Sequence, residues 1–306
     1  MLFILLFIPH CQAQDSGATV QQSEPTYTRA WEVRHDNDFL QFTDRYYTSG
    51  TFLGLISNFE SDKDSITSYQ YKFYIRQEIY TPADLEETDP DRIGRPYAGF
   101  MGFDNTLMVF KEQRSFEYQL YLGWSGPQSL AENFQNAFHS TGAQDSRIAS
   151  WEDQIANTMH ANAYFTYLRE WKMAPNPFAV HISMRPKAAF GTRDVYGQYG
   201  MSFMFGRRDD FKTTSAYGHY GSSREWYFSV DLRYRYVLHD ATFEGSLAGD
   251  RSTLTRQVYP NLFLYDFMLV HRRNRNVYRI GYQYHLAKRR NIEPHLYMQF
   301  SFTRYY

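Results

Sequence analysis

The run His35-Asp36-Asn37-Asp38-Phe39 sets two carboxylates one residue apart with an amide oxygen between them. Oxygens of this kind are the hard ligands that calcium takes, typically about six to eight at once. The run lacks the glycine and distal glutamate of an EF-hand loop, so taken alone it also reads as a solvated turn. Close behind it, Thr43-Asp44-Arg45-Tyr46-Tyr47-Thr48-Ser49-Gly50 adds hydroxyls, a carboxylate and a guanidinium. A third cluster lies much further along. Residues 129–140 (SLAENFQNAFHS) have helical composition, Gly142 could end that helix, and Gln135 and His139, four apart, share one of its faces. Histidine is the natural general base near neutral pH, although a lone loop histidine is as readily a surface residue. Trp151-Glu152-Asp153-Gln154 is expected to begin a second short helix. No Gly-x-Ser-x-Gly elbow and no His-Glu-x-x-His helix occurs, so a serine-hydrolase elbow and a zincin site are unsupported.

Clusters so far apart need a scaffold that gathers them, and composition points to one. Of 306 residues, 27 are Tyr, 25 Phe and 5 Trp, an aromatic share of 19%. Membrane β-barrels use such rings as girdles at both interfaces while alternate residues stay polar. Lys+Arg 32 against Asp+Glu 33 leaves a net charge of −1, and no nucleic-acid partner is expected. The single cysteine, Cys11, excludes a disulfide framework and a zinc-thiolate site. Strict alternation recurs, as in 226–236, where Trp226, Phe228, Val230 and Leu232 oppose Tyr227, Ser229, Asp231 and Arg233. About twelve such segments are expected, an even number as bacterial barrels require. They fall near 27–36, 46–59, 67–80, 97–111, 114–125, 159–172, 177–192, 197–206, 224–239, 256–271, 276–288 and 292–305. The expected fold is all-β, a transmembrane antiparallel β-barrel with short helices in an extracellular loop.

This parity puts both termini on the periplasmic side, with short turns at 111–114, 174–177 and 272–275. All three polar clusters then share the outer side. The segment 207–223 is long for a periplasmic turn, and a miscounted strand there is the competing reading. Residues 1–8 (MLFILLFI) are continuously apolar but far shorter than the ~20 residues of a spanning helix. A signal peptide over 1–13, a polar lead-in over 14–26 and a barrel over 27–306 are expected, hence an exported protein of the bacterial outer membrane. A buried N-terminal strand and a lipid anchor at Cys11 are the alternatives.

The ordered set of motifs resembles the outer-membrane lipid A 3′-O-deacylase family. It comprises Asn37-Asp38 with Thr43 to Gly50, Ile79-Tyr80-Thr81-Pro82, Asp91-Arg92-x-x-Arg95-Pro96-Tyr97-Ala98-Gly99, Gly126-Pro127, Gln135-x-x-x-His139 and Trp151-x-x-Gln154. The resemblance covers about residues 30–158; beyond them only the barrel alternation matches. It implies a twelve-stranded barrel whose calcium-dependent site faces the outer leaflet and hydrolyses the ester of the 3′-acyloxyacyl group of lipid A in lipopolysaccharide. Asp38 would then be a calcium ligand with Asn37 beside it near the oxyanion, Thr48 and Gln135 would line the site, and His139 would activate water. Asp145 is a weaker candidate for orienting His139. A lysine of the family is missing from residues 83–90 here, so Arg92, Arg95 or Arg147 would take over phosphate or sugar recognition.

An inward-folded loop helix, burying Phe134 and Phe138, is expected to bring His139 to the first cluster. A monomer is expected. An outer-membrane phospholipase using Ser49 with His139 is the competing enzyme reading. A non-enzymatic structural or pore barrel, its lumen lined by Arg185, Lys187, Asp231, Arg233 and Arg235, is the other.

Overall fold

The computed structural model describes residues 27–38, 45–61, 66–140, 149–173, 179–221, 224–286, 288–289 and 292–306. The expected signal peptide and lead-in therefore lie outside the described residues. The chain winds as an antiparallel meander: β1 (Arg29–Asn37), β2 (Tyr46–Glu60), β3 (Thr67–Thr81), β4 (Ala98–Lys111), β5 (Arg114–Ser125) and β6 (Thr158–Lys172). Then come β7 in two pieces (Ala179–Met184 and Lys187–Gly191), β8 (Asp194–Arg207), β9 (Glu225–Asp240), β10 (Asn261–Arg273), β11 (Asn276–His285) and β12 (His295–Tyr305). β12 returns to pair with β1, from Ala30↔Tyr305 to Asn37↔Met298. The sheet closes on itself as a barrel of twelve antiparallel strands, with no free edge.

The break in β7 falls at Arg185-Pro186, where the expected strand 177–192 is interrupted. Proline has no N–H to give to a ladder. Its carbonyl still accepts from Tyr167, and Arg185 still donates to Gly200, so both pieces stay between β6 and β8. β10 starts at Asn261 rather than 256, because the residues before it pair instead with the outer loops: Arg256 donates to Phe243 and Tyr259 to Lys288.

Alternation sorts the wall. Leu53, Leu55, Tyr118, Leu120, Phe228 and Phe263 are exposed on the outward face, where lipid covers them. The inward face carries charge, and the expected lumen residues are there: Arg233 pairs with Asp266, and Arg185 lies 3.7 Å from Asp231.

The segment after β8 contributes no further strand among its described residues. It turns at Thr214 into a 3₁₀ turn (Ser215–Tyr217) and reaches across the periplasmic end of the bore. Gly218 O accepts from Gln70 of β3 and Asn58 of β2, Ser215 O accepts from Arg279 of β11, and His219 O accepts from Tyr305 of β12. At its centre the buried Glu170 of β6 receives Arg208 at 2.6 and 2.8 Å and the Tyr217 hydroxyl at 2.5 Å. Phe110, Phe211, Tyr217, Tyr227 and Tyr305 pack around this network as the main apolar cluster. The long connection is thus a periplasmic plug.

Candidate active site

Asn37 ends β1 and Asp38 follows it at the outer rim. Alternation turns Asp36 inward, where it accepts from Arg34 at 3.0 Å and from the Tyr47 hydroxyl at 3.0 Å. Asn37, its neighbour, takes the opposite face. Asp38 is 1% exposed; its Oδ2 accepts the Arg45 N–H at 2.9 Å, and its own N–H reaches Thr48 O at 3.4 Å. Thr48 is the extra residue of a bulge, since Tyr47 pairs with Tyr80 and Ser49 with Ile79. Its hydroxyl meets the Thr81 hydroxyl at 2.7 Å, with both residues buried.

Register carries this chemistry sideways. Asn37 pairs with Ser49, Ser49 with Ile79, and Ile79 with Gly99, one row across β1 to β4. The row lies on the lipid-facing side of the wall, because the alternate residues Arg76 and Glu78 line the lumen while Tyr71 and Ile75 are exposed outside.

Helix α1 (Ala131–Ser140) docks at the β4 end of that row. A Cβ on Gly99 would stand 2.1 Å from Ser129 Oγ and 2.4 Å from Ala131 Cβ, so only glycine admits the start of the helix. Gln77 of β3 donates to Ser129 O at 2.7 Å. Gly126, at φ 80, donates to Gly99 O at 3.0 Å and precedes a 3₁₀ turn, Pro127–Ser129. Trp151 Nε1 donates to Gln135 Oε1 at 2.9 Å, and Gln154 Nε2 to Glu132 Oε2 at 3.4 Å. Beneath them Ile79, Leu85, Tyr97, Ala131 and Trp151 form one buried cluster. Residues 151–154 are a turn rather than the expected helix: Trp151 and Asp153 both sit at φ 53, which no α-helix accommodates.

The helix does not fold inward as expected. Its buried residues are Ala131, Gln135 and His139, whereas Phe134 and Phe138 are 55% and 64% exposed. On the outer wall at the membrane interface, aromatic side chains find lipid rather than water and need no protein cover.

The arginines separate. Arg92 is exposed and pairs with Asp89 at 3.4 Å. Arg95 points the other way, into the lumen, stacked over Tyr80 and Phe243 and donating to Thr242 O at 3.0 Å. Burial, with no carboxylate at ion-pair distance among the described residues, lowers its guanidinium to about 10. Arg147, Asp145, Thr43 and Asp44 lie outside the described residues. The lumen cavity bounded by Arg34, Glu78 and Arg193 includes none of Asn37, Asp38, Thr48, Gln135 or His139.

The family described as outer membrane protein LpxR matches residues 1–303. The chain belongs to the LpxR family. The outer membrane is therefore its location, in keeping with the closed barrel. LpxR from Salmonella typhimurium shares the fold, with a TM-score of 0.72 at 17% identity, over 90% of this chain and 100% of that one. The β domain of the Bordetella autotransporter BrkA aligns at a TM-score of 0.47 and 9% identity, over 92% of this chain and 99% of that one. No curated protein matches the chain. Within the LpxR family motifs of this chain, several residues hold α1 on the wall. Gly99, Gly126, Trp151 and Gln154 do so, a role that sequence reading did not assign to them. Ser129 and Gln77, which complete the anchor, carry no local signal that would have singled them out.

Proposed function

We propose that the chain is a calcium-dependent esterase that removes the 3′-acyloxyacyl group of lipid A at the outer leaflet. The observation that carries this reading is the placing of a row that begins with Asn37 and Ser49, and of a helix with buried Gln135 and His139, on the lipid side of the wall. An ester embedded in the leaflet meets such a site without leaving the membrane plane. Helix length agrees. Ten residues span about 15 Å. The row from Gly99 to Asn37 crosses three strand spacings, about 14 Å.

The donor chemistry at the β1 end fits calcium: a buried carboxylate at Asp38, the Asn37 amide oxygen and the Thr48 hydroxyl are all hard oxygens. Asp38 and Asn37 would hold the ion, with Thr48 lining the site; when bound, it stabilises the negative charge that develops on the ester carbonyl oxygen. His139 takes a proton from water as the water oxygen bonds to the carbonyl carbon. It returns that proton to the sugar-chain oxygen as the old carbon–oxygen bond breaks. Asn37 stands beside the developing oxyanion. Trp151 fixes Gln135 and with it the rotation of the helix face that carries His139.

Mass spectrometry of lipid A from cells with and without the protein tests the reading. Loss of the acyloxyacyl mass is expected, abolished by excess chelator and restored by calcium. Unchanged lipid A rejects the esterase, and full activity in chelator rejects the calcium. Ser49 stands in the same outward row, so appearance of lysophospholipid instead would move the assignment to a serine phospholipase.

A further inference from the structure

On the other side of the wall from the proposed ester site, the outer half of the lumen holds a cavity whose charges do not balance internally. Arg34 pairs with Asp36, and Lys288 with Asp240. Glu78 is shared by two guanidiniums, Arg193 at 2.7 Å and Arg76 at 3.6 Å, which also meet Asp194 at 3.7 Å and Asp104 at 3.4 Å respectively, so the imbalance lies elsewhere. Three further cations line the cavity with no carboxylate at ion-pair distance among the described residues. Arg95 is held between the Tyr80 and Phe243 rings, Lys187 lies 4.9 Å from the Tyr164 ring, and Arg235 lies 4.1 Å from the Tyr196 ring while donating to Gln198. Aromatic faces steady these cations without neutralising them. Donors are also left over: Arg193 Nη1 and Arg76 Nη2 are buried and meet no acceptor among the described residues, and the Arg193 side chain is only 4% exposed.

Buried cations in this number are costly unless an anion joins them. We propose that this cavity is an anion site that takes a phosphate or pyrophosphate group, free or carried on a saccharide, among Arg76, Arg95, Lys187, Arg193 and Arg235. Several charges at once suit a multivalent oxyanion, and guanidiniums match its oxygens in pairs. The cavity reaches the outer surface at Lys288 and the exposed Glu293. The wall separates it from the leaflet, so the group arrives from the aqueous side and not from a bilayer headgroup. The site is independent of the esterase reading and stands or falls without it.

Titration calorimetry on the full chain in detergent at low salt tests it, with inorganic pyrophosphate and glucose 1-phosphate as probes. One saturable site is expected for at least one probe, weakening as salt rises. Binding of pyrophosphate shows that the phosphate alone suffices. Binding of glucose 1-phosphate alone shows that the saccharide is needed. The double variant Lys187→Gln/Arg235→Gln should lose at least tenfold in affinity. Lys187→Arg, which keeps the charge and adds a guanidinium fork, should stay within about threefold. Circular dichroism confirms that each variant is a folded barrel. No saturable binding of either probe, or undiminished affinity in the charge-removing variant, overturns the proposal.

Discussion

A base of the kind proposed for His139 has to be held still, and the helix holds this residue on its buried face. His139 is 6% exposed, while its neighbour Phe138 faces outward. His139→Ala is expected to leave the barrel folded and to lower the hydrolysis rate by ~10² or more. His139→Gln should do no better, because an amide does not accept the proton. A fall of only a few-fold in either variant removes His139 from the chemistry. Trp151→Phe tests the support one step back. The ring contact with Tyr97 survives, but the buried Gln135 Oε1 loses its donor. A hydrogen bond of this kind contributes about 0.5–1.5 kcal/mol net. A roughly tenfold loss of rate with an unchanged circular dichroism spectrum is expected; full activity would mean that the indole bond does not set the helix.

At the scale of elements, the strands were legible because period-two alternation survives in almost every crossing, and β2, β3 and β5 lie within a residue or two of where it puts them. The helix was legible too, but not the side of the wall it occupies. Read as if water surrounded it, a helix with Phe134 and Phe138 must turn them toward protein; lipid at the barrel rim reverses that demand. The left-handed turn at Trp151 and Asp153 was hidden for another reason, since Trp seldom takes a positive φ and Asp, which tolerates one, does not require it. The candidate site was legible as residue types at the β1–β2 end, whereas the anchor that brings α1 to it depends on register across four strands. Gly99→Ala isolates that anchor. Its methyl would collide with Ser129 and Ala131. Activity is expected to fall at least tenfold while the thermal midpoint of the barrel stays put, with residues 131–140 cut sooner in limited proteolysis. Unchanged proteolysis and activity would show that the helix accommodates the methyl.

For the whole molecule, the periplasmic plug decides two properties. It ties into strands around the bore, including β2, β3, β6, β11 and β12, so planar-bilayer recordings should show no steady conductance; an open-channel current would mean that the plug leaves the lumen. Within it, His219 lies 4.4 Å from the Phe110 ring, and burial, with Lys72 and Lys212 adding to it, pushes its imidazole down to about 3. Its folded pKa is below the unfolded one, so below pH ~6.5 the unfolded chain binds the proton first. The plug's stability is then complete above that pH and declines toward pH 3, by at most about 1.4 kcal/mol per pH unit. His219→Phe should flatten this slope in denaturation measured between pH 4 and 7; an identical slope would place the acid sensitivity elsewhere. The wall itself is one strand thick, with Asp36 committed to the lumen and Asn37 to the lipid side. Descent can therefore rewrite the outward residues one at a time while the inward lattice is inherited intact, so members of one lineage are free to diverge in the lipids they accept without relearning how to assemble.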